Sequence, residues 1–349
     1  MIFSNIRSFP IYWENGMKLS ADHFQHLENS IEDANQDIRA TALLAIQGFG
    51  LLPYSPFEVQ SAQGNSPNSV RVIVNACKAI MPGGYRVEIV PENIQNHQIP
   101  GRAPFVEFVP NPGVRYHLYL TVNEQKRIPS GIPQTRPIRH PFLSHDYQLE
   151  CIPQNRISAV QNLAPNRMKI AEWQDGKVID GYIPPMLAIK GYQLMEKWYQ
   201  FLQNQLENIV RIGVHVINEQ RKKDKARSEF CIPIVNYIRG SQGYFKWMLP
   251  NQSPIWLVVY FGDLAGLVEG LIESSDRDFV RNQLNNGQIN NLRSNALEVL
   301  KPSVIPQEEI AIVIGSIQRF VSSLISTFQG LVTTTKRAPR SGEREISSG

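Results

Sequence analysis

Ser144, His145 and Asp146 bring together the residue types of a hydrolytic relay, and His23 with His26, three apart beside Asp22, Glu28 and Glu32, offers nitrogen and oxygen donors to a metal ion. Spacing argues against both. Consecutive residues on an extended segment point to alternate faces, so the three cannot assemble as a relay by themselves. No second cluster completes a metal site at the two histidines, which read as structural. A metal-dependent hydrolase using them stays as an alternative. The nucleophile elbow GxSxG, the phosphate loop GxxxxGK[ST] and the dinucleotide fingerprint GxGxxG are all missing from the sequence. Cys77, Cys151 and Cys231 are odd in number and form no CxxC, which suggests neither a disulfide framework nor a zinc knuckle and fits a reducing cytoplasm. The expectation is a protein without catalytic residues, metal or cofactor.

Charge points to no nucleic-acid partner. Thirty-five Lys plus Arg against thirty-one Asp plus Glu leave +4 over 349 residues. As large an excess sits in one place, where Arg221, Lys222, Lys223, Lys225 and Arg227 surround Asp224; it reads as a solvated helix end whose cations complement the last carbonyls. Arg136, Arg139 and His140 form the basic tip of a proline-rich loop. Tyr244, Phe245, Trp247 and Met248 offer possible partner anchors, but at such spacing aromatic residues more often pack inward.

Proline divides the chain. Eighteen of the twenty-four prolines precede residue 187. Because proline breaks helix interiors and central sheet ladders, this half must be built of short strands and turns. Period-two apolar patterning predicts strands over Ser69–Ala76, Lys78–Met81, Tyr85–Val90, Tyr116–Asn123, Tyr147–Ile152 and Arg167–Trp173, with a hairpin turn at Pro82, Gly83 and Gly84. One helix interrupts them, over Ser20–Ile46, where Phe24, Leu27, Ile31, Ile38 and Leu43 follow helical spacing. The fold class is therefore α+β, an N-terminal β domain with one helix followed by a helical bundle.

After Pro185 the chain turns helical. From Leu187 to Asn218 one stripe holds Met195, Trp198, Leu202, Ile209 and Val216, and a second holds Leu194, Phe201, Leu206, Val210 and Ile217, so two faces are expected to be buried. The last helix spaces Ile310, Ile314, Ile317, Val321, Leu324, Phe328 and Leu331 as a coiled-coil seam. Between them, helices are predicted over Pro233–Leu249, Pro254–Ile272 and Arg277–Leu300. Asp263 makes the middle one a bundle helix rather than a membrane span, and Gly262, Gly266 and Gly270 would let another backbone approach it. Thr333–Gly349 is nearly devoid of apolar residues and reads as a disordered tail. No secretory signal is recognisable at the N-terminus.

Three stretches resemble the baseplate subunit TssK family of type VI secretion systems. The opening Ile11–Gln25 carries Trp13, Glu14, Gly16, Met17, Leu19, His23, Phe24 and Gln25 of that family's pattern, with Ala21–Asp22 in place of Pro-Gln. Tyr182–Ile189 is similar to its Y-I-P-P-x-L-x-I junction, and Ser253–Ile272 to a later helix through Leu264, Ala265 and Gly266. The resemblance implies a non-enzymatic homotrimer. A β-sandwich shoulder over residues 1–186, like the anchoring part of phage receptor-binding proteins, would dock the wedge proteins TssF and TssG; partner-binding would fall on Tyr12, Trp13, Glu14, Met17 and Leu19. A helical neck over 187–332 would hold the copies together, with Trp198, Leu202, Ile209, Val216, Ile314, Ile317, Val321, Leu324 and Phe328 as trimer or bundle core. Only seventeen residues follow Val332, so a short variant without the family's C-terminal head is expected, located in the cytoplasm at the inner membrane and linked towards the membrane anchor. A phage-type tail adaptor or receptor-binding protein is the alternative within this resemblance.

Overall fold

The computed structural model describes residues 8–44, 48–89, 103–130, 134–136, 138–139, 142–156, 166–220, 225–274, 286–301 and 309–333. The chain divides into two units. One comprises Met1–Tyr199, Met248–Leu257 and Ile305–Ala311, the other Gln200–Trp247, Val258–Val304 and Ile312–Gly349.

The first unit holds the strands expected in the proline-rich half. Its first sheet is organised around β3 (Val70–Ile80), an 11-residue strand that pairs antiparallel with β2 (Glu58–Gln63) and β5 (Phe105–Phe108) along its first half, and with β1 (Gly50–Leu51) and β4 (Arg86–Ile89) along its second. Two strands were expected where β3 is one. Its partners change near Cys77 while the backbone stays extended, so the sequence reads as if it were interrupted. The second sheet runs β11 (Lys177–Val178), β10 (Arg167–Gln174), β6 (Tyr116–Ser130), β9 (Phe142–Pro153). A two-stranded hairpin, β7 (Gln134–Thr135) with β8 (Ile138–Arg139), carries Arg136 exposed at its turn. Val72, Val74 and Ala79 from the first sheet and Leu118, Leu120, Met168 and Ile170 from the second are fully buried or nearly so. Phe108 meets Trp173 edge-on at 5.3 Å and Tyr116 at 5.0 Å, closing the core between the sheets.

The Tyr182–Ile189 stretch works as a clasp. Leu51 N–H donates to Pro185 O (2.8 Å) and Leu187 N–H to Leu51 O (3.0 Å), while Ile189 and Lys190 N–H groups donate to Gln252 O and Pro250 O. Tyr182, Ile183, Met186 and Ile189 are buried. Gly50 is required where it stands: its φ is +131°, and a Cβ there would lie 2.1 Å from the carbonyl of Pro185.

The second unit is helical: α2 (Gln193–Gln220), α3 (Lys225–Gly240), α4 (Pro254–Ser274), α5 (Asn286–Leu300) and α6 (Ile310–Thr333), of which α2, α4 and α6 begin in the first unit. Helix α3 starts eight residues before Pro233, which lies inside it, so proline does not mark its first turn as the sequence suggested. Helix α6 is sheathed by its own chain. Ile314, Ile317, Val321, Leu324 and Phe328 are wholly buried, as are Phe320 and Thr327 beyond the expected seam. Those five residues form the core of one protomer and offer no surface to a second copy. At Gly213 on α2 a Cβ would meet Val235 at 2.5 Å and Phe328 at 2.8 Å, so the missing side chain sets this close helix packing. Helices α4 and α6 are long and apolar enough to cross a membrane by length and composition. Asp263 on α4 is exposed, and added Cβ atoms at Gly262, Gly266 and Gly270 would meet nothing within 4 Å; this stripe receives no neighbouring backbone among the described residues.

Candidate docking surface

The chemistry suspected at the outset does not assemble. Ser144 Oγ donates to the backbone carbonyl of His145, and the Asp146 carboxylate binds Lys126 Nζ (3.2 Å) and Gln148 (3.3 Å). His23 Nδ1 accepts the N–H of Ser20 at 3.1 Å, which makes its ring a cap at the start of helix α1 (Ala21–Leu44), while His26 is exposed. No three metal-ligating side chains gather among the described residues. Of the basic stretch, 221–224 lie outside the described residues. Arg227 is buried instead of solvated, and its Nη1 donates to Leu331 O at 2.8 Å, satisfying a carbonyl in the last turn of α6.

A different feature stands out in the first unit. Helix α1 rests on the β3–β4 turn through its polar side: Gln36 Nε2 donates to Gly83 O (3.0 Å) and Arg39 Nη1 to Gly84 O (3.3 Å), with Arg39 also paired to Glu32 (3.1 Å). The approach is so close that a Cβ at Gly84 would lie 2.3 Å from Gln36 O. Ser30, Gln36 and Ala40 are buried by this seating. Leu27 is half-buried, but three other apolar residues point the other way. Phe24 is 50% exposed, Ile31 53% and Ile38 68%, in a row seven residues apart.

The segment that precedes α1 adds to this surface. Ser8 N–H donates to Asp33 Oδ2 (2.8 Å), tying the segment to the helix, and a turn closes between Glu14 O and Met17 N, with Gly16 at φ +86°. Trp13 meets His23 edge-on at 6.0 Å. Tyr12, Trp13, Glu14 and Leu19 are exposed, as is Phe9, and Met17 is half-buried. Large apolar side chains left exposed in this way are candidates for contact with a partner. The helix as a whole is acidic, with Asp22, Glu28, Glu32, Asp33 and Asp37 against one Arg39. Phe24, Ile31 and Ile38 were missed as surface residues because helical spacing shows which residues share a face and says nothing of where that face points. The polar run Ser30, Asp33, Gln36 and Asp37 opposite them was the available signal.

In the second unit Leu202, Ile209 and Val216 are buried, while Trp198, at the end of the first unit, is half-buried. Phe201, Ile212, Val214 and Ile217 line the edges of the same helix half-buried, and Leu297, Leu300 and Ile312 are exposed.

No family model and no curated protein matches the sequence. Among solved structures, a crystal structure of TssK is similar with a TM-score of 0.53 at 15% identity, covering 92% of this chain and 69% of that one. The fold is TssK-like. Two further similar structures are the TssK-TssF-TssG baseplate subcomplex of a type VI secretion system (TM-score 0.48, 13% identity, 90% of this chain and 100% of that one) and TssK of the EAEC type VI secretion system bound to a nanobody (0.48, 14%, 84% and 68%).

Proposed function

We propose that this chain is a structural subunit of a type VI secretion baseplate, a homotrimeric adaptor that docks the TssF–TssG wedge through its N-terminal ridge and links the baseplate towards the membrane anchor at the cytoplasmic face of the inner membrane. In this reading residues 1–186 are the shoulder, 187–332 the neck and 333–349 a tail, and the protein performs no catalysis and needs neither cofactor nor nucleic acid. The observation that carries it is the fold likeness over 92% of the chain. The three stretches of sequence resemblance support the same family independently.

The ridge supplies the docking chemistry. Burying a Phe, Ile or Leu side chain that is now exposed contributes about 1.5–3 kcal/mol, so a few such residues on an acidic helix suffice for a specific contact to a surface of apolar centre and basic surroundings. Trimerisation is supported by the half-buried edges of α2 and by exposed Leu297, Leu300 and Ile312, and not by the α6 seam, which its own chain covers. Co-purification with TssF and TssG tests the docking: Trp13→Ala with Met17→Ala should lose the wedge while the fold persists, and undiminished recovery would refute the assignment. Light scattering tests the assembly separately. Three copies of the 39.6 kDa chain are expected, and a lone protomer at micromolar concentration would remove the trimer.

A further inference from the structure

A cavity of about 280 Å³ opens in the second unit between α2, α3, α4 and the π-helical turn Tyr244–Met248. Its walls are apolar, from Leu206, Val210, Ile238, Phe245 and Tyr260. The aromatic part is rigid: Phe245 and Tyr260 meet at 4.9 Å, Phe245 and Phe261 at 6.3 Å, and the Tyr260 hydroxyl lies 3.1 Å from Ser241 Oγ. Such preorganised aromatic walls lose little freedom when a side chain enters.

The opening carries charge. Arg239 and Lys246 both line the cavity, both are exposed, and neither forms an ion pair among the described residues. The single lining carboxylate, Glu207, already accepts from Gln203 Nε2 at 3.4 Å. Two cations against one engaged anion leave a positive mouth over an apolar floor. Beside Lys246, whose Nζ lies 5.6 Å from its ring centre, Trp247 is 70% exposed. The sequence suggested that the aromatic run here packs inward. Phe245 does; Trp247 and Met248 do not, the latter being 55% exposed.

We infer that this cavity is a docking site for an acidic peptide segment of a partner protein, which inserts one large apolar side chain between Leu206, Phe245 and Tyr260 and sets its carboxylates against Arg239 and Lys246. Charge complementarity selects the acidic partner. Size selects a peptide: the volume lies just under the usual small-molecule range of about 300–1,000 Å³ and matches one large side chain, and an occupant confined to it would leave Trp247 bare, whereas flanking residues of a peptide cover it. Trp and Arg are the residue types that dominate binding at such centres. This site is distinct from the N-terminal ridge, whose helix carries an acidic excess and calls for a partner of opposite charge.

The test is selection of a phage-displayed random dodecapeptide library on the full-length protein, followed by fluorescence anisotropy of the recovered peptides. Expected are peptides that pair an aromatic or long aliphatic residue with Asp or Glu and weaken about tenfold or more on R239E/K246E, and on Val210→Phe, which fills the cavity and keeps its charge. Thermal melts confirm that both variants fold. Failure to enrich any peptide, recovery of peptides without acids, or affinities unchanged in both variants would overturn the proposal. So would a fall in oligomeric state on R239E/K246E, which would assign the cavity to a second copy. Binding of the anionic dye anilinonaphthalene sulfonate that Val210→Phe abolishes, with no peptide enriched, would assign it to a small molecule.

Discussion

Helices α1 and α6 are each 24 residues long, and each spaces apolar residues seven apart, yet they use that spacing in opposite ways. In α6 the row Ile310, Ile317, Leu324 and Leu331 is buried by the helix's own chain. In α1 the row Phe24, Ile31 and Ile38 faces outward, and the helix is held by hydrogen bonds from its polar side to a tight turn. One helix contributes stability through its stripe, and the other keeps its stripe free. A period of 3.5 fixes which residues stand together; only the neighbours decide whether that face becomes core or contact surface.

The contrast can be broken first at α6. Phe328→Ala should cost about 3–5 kcal/mol, because the wholly buried ring leaves a cavity against Phe230 and Gly213, and a denaturant melt measures it directly. A loss below about 1 kcal/mol would mean that the buried stripe of α6 is not core. The seat of α1 comes next. Gly84→Val places a side chain where Gln36 O lies 2.3 Å away and φ is +83°, so it should cost about 1–3 kcal/mol and release α1, read as faster amide exchange across that helix with α6 unchanged.

Acid should act on the sheet unit. His117 is held neutral, its value lowered to about 4, chiefly by burial and further by the charge of Lys169. The unfolded chain takes up a proton below about 6.5 and the folded one does not. The contribution is therefore complete above pH 6.5 and declines as pH falls towards 4. With the ring partly reached by solvent, about 1 kcal/mol is expected. His117→Gln should flatten that part of the Tm profile, and an identical profile in the variant would exclude His117 as its source. The smallest effect belongs to the stripe of α1: Ile31→Glu with Ile38→Glu should change stability by less than about 0.5 kcal/mol, since both side chains already face water. A large destabilisation would show that they are core.

Much of the architecture was legible because proline and periodicity act locally. The division into a strand-rich half and a helical half, strands β6, β9 and β10, and helices α1, α2, α4, α5 and α6 followed from where backbone N–H groups are missing and where apolar residues recur, whereas α3 starts eight residues before the proline that was read as its beginning. The short strands β1, β2 and β5 were not legible, since Gly50–Leu51 and Phe105–Phe108 gain strand geometry only from pairing with β3. The candidate surface was half visible. Tyr12, Trp13 and Leu19 could be named through resemblance, while Phe24, Ile31 and Ile38 showed only helical spacing, and their outward direction follows from the polar face seated on Gly83 and Gly84. Arg227 shows the reverse error, a cation in a basic run that ends up buried because one carbonyl of α6 needs a donor.

The outward stripe of α1 is tested most directly by thiol labelling. The native cysteines give little background, because burial pushes the thiols of Cys77, Cys151 and Cys231 up to about 12. Cysteine placed at Ile38 should react rapidly with a maleimide in the isolated protein and become protected when TssF and TssG are added, whereas cysteine placed at Ile317 should stay unreactive throughout. Slow labelling at Ile38 in the isolated chain, or labelling that the wedge leaves unchanged, would contradict the assignment of this face as the docking surface.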